Sequence, residues 1–79
     1  MLLKEAVAKR IKEILKEKNL TQYALFKLTG VPQSTLSTIA SGEIKTVKLS
    51  TIYDICSGLE IEFTEFFNRD YFKLVSLDD

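Results

Sequence analysis

A glycine and a proline two positions apart split the middle of this chain into two short helical segments, and no fold that needs a continuous element there is open to it. The stretch from residue 21 to residue 42 reads TQYALFKLTGVPQSTLSTIASG. The Thr21 hydroxyl is placed to cap a helix over Gln22 to Thr29. Gly30 follows the last turn, where a left-handed residue closes a helix without a Cβ penalty. Pro32 suits the first turn of a new helix, because its missing N–H would have been unpaired there anyway. The spacing predicts that this helix runs from about Pro32 to Ala40 and ends at Ser41-Gly42. Leu25 and Leu28, with Phe26 beside them, are expected on the inner side of one segment, and Leu36 and Ile39 on that of the next.

The flanks supply longer elements. From Leu2 to Lys18, the residues Leu3, Val7, Ile11, Ile14 and Leu15 recur on one helical face. Lys9, Lys12, Glu13, Lys16 and Glu17 take the other, read as a solvated surface. Glu5 with Lys9 and Lys9 with Glu13 stand four apart, worth about 0.3 kcal/mol each as pairs. Asn19 and Leu20 end that helix. Residues 43–48, EIKTVK, read as an extended loop anchored by Ile44 and Val47. A fourth helix is expected over Leu49 to Gly58 with Leu49, Ile52, Ile55 and Cys56 inward, and a short fifth one holds Phe63, Phe66 and Phe67. The three rings are read as core, and Cys56 as a small buried hydrophobe. The fold class is all-α, a compact five-helix bundle. One domain is expected over residues 1–68, and 69–79 form a tail. Its apolar part, Tyr71 to Leu77, reads as a strand, a last helical turn or a dimer-forming arm, and is the candidate segment for dimerisation.

Composition excludes several functions. Leu, Ile, Val and Phe supply 27 of 79 residues, enough for one real core, and Gly and Pro together only four. The chain has no histidine and one cysteine. An internal disulfide, a Cys/His zinc site and Ser-His-Asp or Cys-His catalysis are therefore impossible. Glu60 and Glu62 lack a partner that would mark acid–base chemistry. The expectation is a non-enzyme with no cofactor and no metal. No apolar stretch approaches the roughly 20 residues of a membrane span, and the N-terminus has no signal-peptide core. A soluble cytoplasmic protein is expected, with no membrane partner.

Charge is polarised. The formal net charge is zero, yet residues 1–48 hold nine Lys/Arg against four Glu, and residues 49–79 hold two against seven Asp/Glu. Such a chain can turn a basic face to a polyanion and an acidic one away. Between Asn19 and Gly42 the sole charge is Lys27, and Ser34, Thr35, Ser37 and Thr38 crowd the third helix. Hydroxyl side chains are mediocre helix formers, since they compete for backbone groups. That helix looks chosen for a neutral, hydrogen-bonding surface.

Two short helices joined by a tight turn at Gly30 make a helix-turn-helix unit. The stretch LTQYALFKLTGVPQSTLSTIASG, followed by LSTIYDICSGLEI and EFF, resembles the Cro/phage-repressor type, also called the xenobiotic-response-element family, over roughly Ile11 to Phe67. The resemblance implies a lambda-repressor-like DNA-binding domain whose third helix enters the major groove. Gln33, in the first turn of that helix, carries a donor and an acceptor on one planar amide, the geometry that reads adenine. Ser34, Ser37 and Thr38 extend the same face, and the Thr38 methyl suits a thymine methyl. Gln22 resembles the family's glutamine that touches a phosphate and braces the reading glutamine. Lys45, Thr46 and Lys48 fall in the loop where the family grips the DNA backbone, with Arg10 and Lys27 as further phosphate candidates.

The chain also departs from the family's pattern. Phe26 stands where many relatives have alanine, and should alter how the second and third helices cross or fill space left by small neighbours. Leu15 and Ala40 occupy positions where relatives often pair a basic residue with a glutamate. The reading face lacks Arg and Lys, which moves specificity to weak polar contacts and DNA shape, or weakens binding. The leading expectation is a sequence-specific transcriptional regulator, a small repressor acting by occupancy, that binds double-stranded DNA as a homodimer on a pseudo-palindromic operator. The alternative is a protein-interaction or antitoxin-like module, its partner on the acidic C-terminal half.

Overall fold

The computed structural model describes residues 1–73 and 75. Five α-helices follow in order: α1, Leu3–Glu17; α2, Gln22–Thr29; α3, Gln33–Ser41; α4, Leu49–Leu59; and α5, Phe63–Phe66. A single 3₁₀ turn, Asp70–Phe72, comes after them, and there is no sheet among the described residues. The all-α expectation is met; α1 to α4 each start and stop within one residue of the sequence reading, and the short α5 ends at Phe66, one residue before Phe67. α1 begins where the Glu5 carboxylate accepts a hydrogen bond from the Leu2 N–H at 2.8 Å. α2 begins with the Thr21 hydroxyl accepting from the Ala24 N–H at 3.0 Å. Its end is Gly30 at φ +76°, whose N–H reaches the Phe26 carbonyl at 2.8 Å. Pro32 lies just outside α3, as its cap, so the helix starts at Gln33.

The helices enclose one core. Val7, Ile11 and Ile14 of α1 meet Leu25, Val31, Leu36 and Ile39, and α4 adds Ile52, Ile55, Cys56 and Leu59. Phe66 of α5 is fully buried among them. Each such side chain removed from water contributes about 1.5–3 kcal/mol. The phenylalanines do pack as core: Phe66 and Phe67 meet edge-on at 4.9 Å between ring centroids, and Phe67 and Phe72 at 5.2 Å.

Two expected core residues face solvent. Leu28 is 52% exposed and Leu49 is 68% exposed. In α2 the inner stripe runs Gln22, Leu25, Phe26, Thr29, at the i, i+3, i+4, i+7 spacing, and Leu28 falls outside it. In α4 the same spacing selects Ile52, Ile55, Cys56 and Leu59, leaving Leu49 at the helix start, while Ile44 and Val47 of the preceding loop pack on the core. The expected pairing of Glu5 and Glu13 with Lys9 is also absent. Glu5 caps α1, Lys9 lies 4.8 Å above the Tyr71 ring, and Glu13 faces Arg10 and Arg69.

Phe26 is half-buried on the core, its ring 6.0 Å from that of Tyr23, and Leu15 and Ala40 are both half-buried. No helix among the described residues is long and apolar enough to cross a membrane.

Candidate nucleic-acid interface

α3 is held from beneath by Leu36 and Ile39, which are each 1% exposed. Anchoring those two positions turns Gln33, Ser34, Ser37 and Thr38 outward, and all four are exposed. The candidate readers therefore share one open surface. The Thr38 hydroxyl donates back to the Thr35 carbonyl at 2.9 Å and lies 3.2 Å from that of Ser34. Its proton is thus occupied, which leaves the methyl and the oxygen lone pairs for an outside partner. Ser41 is likewise engaged, its hydroxyl oxygen lying 3.1 Å from both the Thr38 carbonyl and the Glu43 carboxylate, with one proton between them, and accepting from the Glu43 N–H.

The turn that aims α3 is fixed by side-chain and backbone bonds together. The Thr29 hydroxyl donates to the Leu25 carbonyl at 2.8 Å and accepts from the Val31 N–H at 3.2 Å. It therefore satisfies one group at the end of α2 and one inside the turn. Gln22 spans the turn: its Nε2 donates to the Gln33 backbone carbonyl over a long 3.5 Å. Gln22 thus touches the first residue of α3 through its backbone and leaves the Gln33 side-chain amide open on both edges.

Thr35, Thr38, Ile44, Thr46, Lys48 and Thr51 line an open cleft of about 260 Å³ at the flank of α3. It brings together Thr38, Thr46 and Lys48, all site candidates. Thr35 and Thr51 were missed by the sequence reading, although Thr35 stands three residues before Thr38, one helical turn away. The Lys48 ammonium and the hydroxyls of Thr35, Thr46 and Thr51 are donors suited to phosphate oxygens, the Thr38 proton being already engaged. Lys45 and Lys48 are exposed, and neither forms an ion pair among the described residues. Lys27 is also exposed, its ammonium 6.0 Å from the Tyr23 ring centroid.

Arg10 is not available for a phosphate, and that expectation is corrected. The residue is 2% exposed. Its Nε donates to the Phe66 carbonyl at 2.7 Å and its Nη2 to the Glu65 carbonyl at 3.1 Å, satisfying the end of α5. Glu13, Glu17 and Glu65 surround the guanidinium at 3.6–3.8 Å, and Arg69 reaches the same three carboxylates at 3.6–3.8 Å. Those contacts make Arg10 a clamp between α1 and α5.

The expected dimer-forming segment is divided. Tyr71 and Phe72 serve their own chain: the Tyr71 hydroxyl bonds Glu13 at 2.5 Å, and Phe72 packs on Phe66 and Phe67. Val75 is half-buried, and positions 74 and 76–79 lie outside the described residues. Cys56 is buried as expected, and burial pushes its thiol above the usual range, so it is a poor nucleophile.

A family model for the Cro/C1-type helix-turn-helix DNA-binding domain matches residues 10–70. Among solved structures, the chain is similar to a transcriptional regulator of the HTH_3 family from Vibrio cholerae, with 36% identity and a TM-score of 0.79. That match covers 85% of this chain and 37% of the regulator, so the chain spans well under half of that relative. It is also similar to the prophage Lp1 protein 11, with 29% identity and a TM-score of 0.80, over 95% of this chain and 100% of that one. No curated protein matches the chain.

Proposed function

The chain belongs to the Cro/C1-type helix-turn-helix DNA-binding family, and from that premise we propose that it is a sequence-specific repressor that binds a pseudo-palindromic operator as a homodimer. The observation that carries the reading is the outer face of α3. It presents Gln33, Ser34, Ser37 and Thr38 together, and no carboxylate occurs anywhere from residue 18 to residue 42. A duplex can approach that face without like-charge repulsion. Gln33 sits at the leading end of the helix, where an amide can donate to and accept from one adenine edge. Lys45, Thr46, Lys48 and the flanking threonines hold the phosphates beside it, and Lys27 and Gln22 work from α2.

Size supports the dimer. The longest dimension of the protomer is 31 Å, whereas successive major grooves on one side of a duplex are about 34 Å apart. One copy fills one groove, so a long operator needs two. Repression then requires nothing beyond occupancy, because a protein lying over a promoter excludes polymerase. The chain acts by binding and does no chemistry.

Selection of operators from a random duplex library tests this reading. The expected product is an inverted repeat with half-site centres about ten base pairs apart. Gln33→Ala should relax the preference at one position in each half-site, worth about 1–3 kcal/mol. A selected sequence without internal symmetry would remove the dimer. Unchanged preference in Gln33→Ala would remove Gln33 as a reader.

A further inference from the structure

We propose that the cleft between α4 and α5 docks a basic, amphipathic segment of a partner protein. Tyr53, Cys56, Ile61 and Phe63 give this cleft an apolar lining, Glu60 and Glu62 add two carboxylates, and its volume is about 400 Å³. None of its lining residues belongs to α3 or to the 43–48 loop. The surface is therefore separate from the proposed DNA contact, and the inference does not rest on that reading.

Three observations identify the occupant. The first is charge without compensation. Glu13, Glu17 and Glu65 each stand within 3.6–3.8 Å of an arginine, whereas Glu60 and Glu62 form no ion pair among the described residues. No lysine or arginine lines the cleft. The second is backbone conformation. Glu60 closes α4 at φ +58°, in the left-handed region where glycine or asparagine is the inexpensive choice. A glutamate held there puts a carboxylate at the cleft against the preference of its own backbone. The third is Tyr53, an aromatic residue left 60% exposed with its ring 6.3 Å from that of Phe63.

An apolar side chain on Ile61 and Phe63, flanked by Lys or Arg on Glu60 and Glu62, satisfies all three at once. Residues 49–79 carry two Lys/Arg against seven Asp/Glu, which attracts such a segment over longer range and repels a nucleic acid.

The test is selection from a random-peptide phage library, using the intact protein as bait and the double variant Glu60→Gln with Glu62→Gln as control. The expected winners interleave Lys or Arg with Leu or Phe and shift the amide resonances of Tyr53, Ile61, Glu62 and Phe63. The double variant should bind them about tenfold more weakly. Glu60→Gly separates binding from folding: it should raise the thermal midpoint, by relieving the backbone, and still lower peptide affinity. Winners without basic residues, or equal binding to the double variant, would overturn the proposal. So would a protein mass that rises with concentration and reverts in Tyr53→Ser, which would assign the cleft to a second copy of the chain.

Discussion

Gly58 shows how one missing side chain sets the approach of two helices. A β-carbon at this position in α4 would lie 2.6 Å from Thr29 Cγ2, 2.7 Å from the Leu28 carbonyl oxygen and 2.8 Å from Thr29 Cα. Two of those atoms are backbone, which cannot swing aside as the end of a long side chain can. Gly58→Ala should therefore force α2 and α4 apart at a cost of about 3 kcal/mol, set against about 1 kcal/mol of improved helix propensity. The expected net loss lowers the midpoint of thermal unfolding, followed by circular dichroism, by about 10 °C. A midpoint at or above that of the parent would mean the two helices have slack there. Gly30 provides the contrast, since open space surrounds it and only its φ of +76° resists a side chain. The sequence showed the need for Gly30 through the helix break. It showed Gly58 only as a residue near a helix end, because close approach is a property of two elements. Arg10 was closer to legible. It stands three residues after Val7 and four before Ile14, inside the apolar stripe of α1. Its charge drew it toward the solvated or DNA-facing class, but burial among three carboxylates and two carbonyls is what that register produces.

Between elements, the contact least visible in the sequence is the one that fastens the 3₁₀ turn to α1. Tyr71 and Glu13 are far apart along the chain, and no local period links them. Helices α1 to α5 were readable because capping, glycine closure and apolar spacing are local signals. The tail carries apolar residues with no period, a pattern that suits a dimer-forming arm as well as a strand or a turn, and only the packing of Phe72 on Phe66 and Phe67 assigns part of it to its own chain. The Tyr71 bond has a pH signature. Burial foremost, and then the hydrogen bond to the Glu13 carboxylate, push the phenol above its ordinary value of about 10. The fold thus favours the protonated phenol. Its contribution is complete below the unfolded-state value of about 10 and is lost as pH rises beyond that, because the unfolded chain then releases a proton that the folded one keeps. Tyr71→Phe should lower stability by about 1–2 kcal/mol near neutrality and flatten the alkaline fall. Urea unfolding at about pH 8 and about pH 11 measures both. An alkaline limb as steep in the variant as in the parent would assign the fall to other groups.

At the scale of the whole molecule, a chain of zero net charge can hold a polyanion only through the arrangement of its charges. The long axis is 31 Å, about three times the Debye length of roughly 10 Å at 0.1 M salt. Carboxylates at one end are thus screened from phosphates at the other. Arg10 and Arg69 are already neutralised by Glu13, Glu17 and Glu65, so the proposed backbone grip falls to lysines. Lys45 and Lys48 are exposed and without ion-pair partners among the described residues, and Lys48 lines the cleft at the flank of α3. Each lysine that neutralises a phosphate releases condensed counterions and adds about 0.9 to the slope of log affinity against log salt. Replacing both with alanine should weaken binding to every duplex alike and reduce that slope by about 2. Gln33→Ala should leave the slope unchanged, because a base contact releases no counterion. Fluorescence anisotropy of a labelled duplex, titrated at several salt concentrations, reads both variants in one format. A slope that survives the double lysine replacement would move the phosphate grip to Lys27 and to the helix amide ends. A slope that falls in Gln33→Ala would mean this residue, too, acts on the phosphates, and base reading would then rest on Ser34, Ser37 and Thr38 alone.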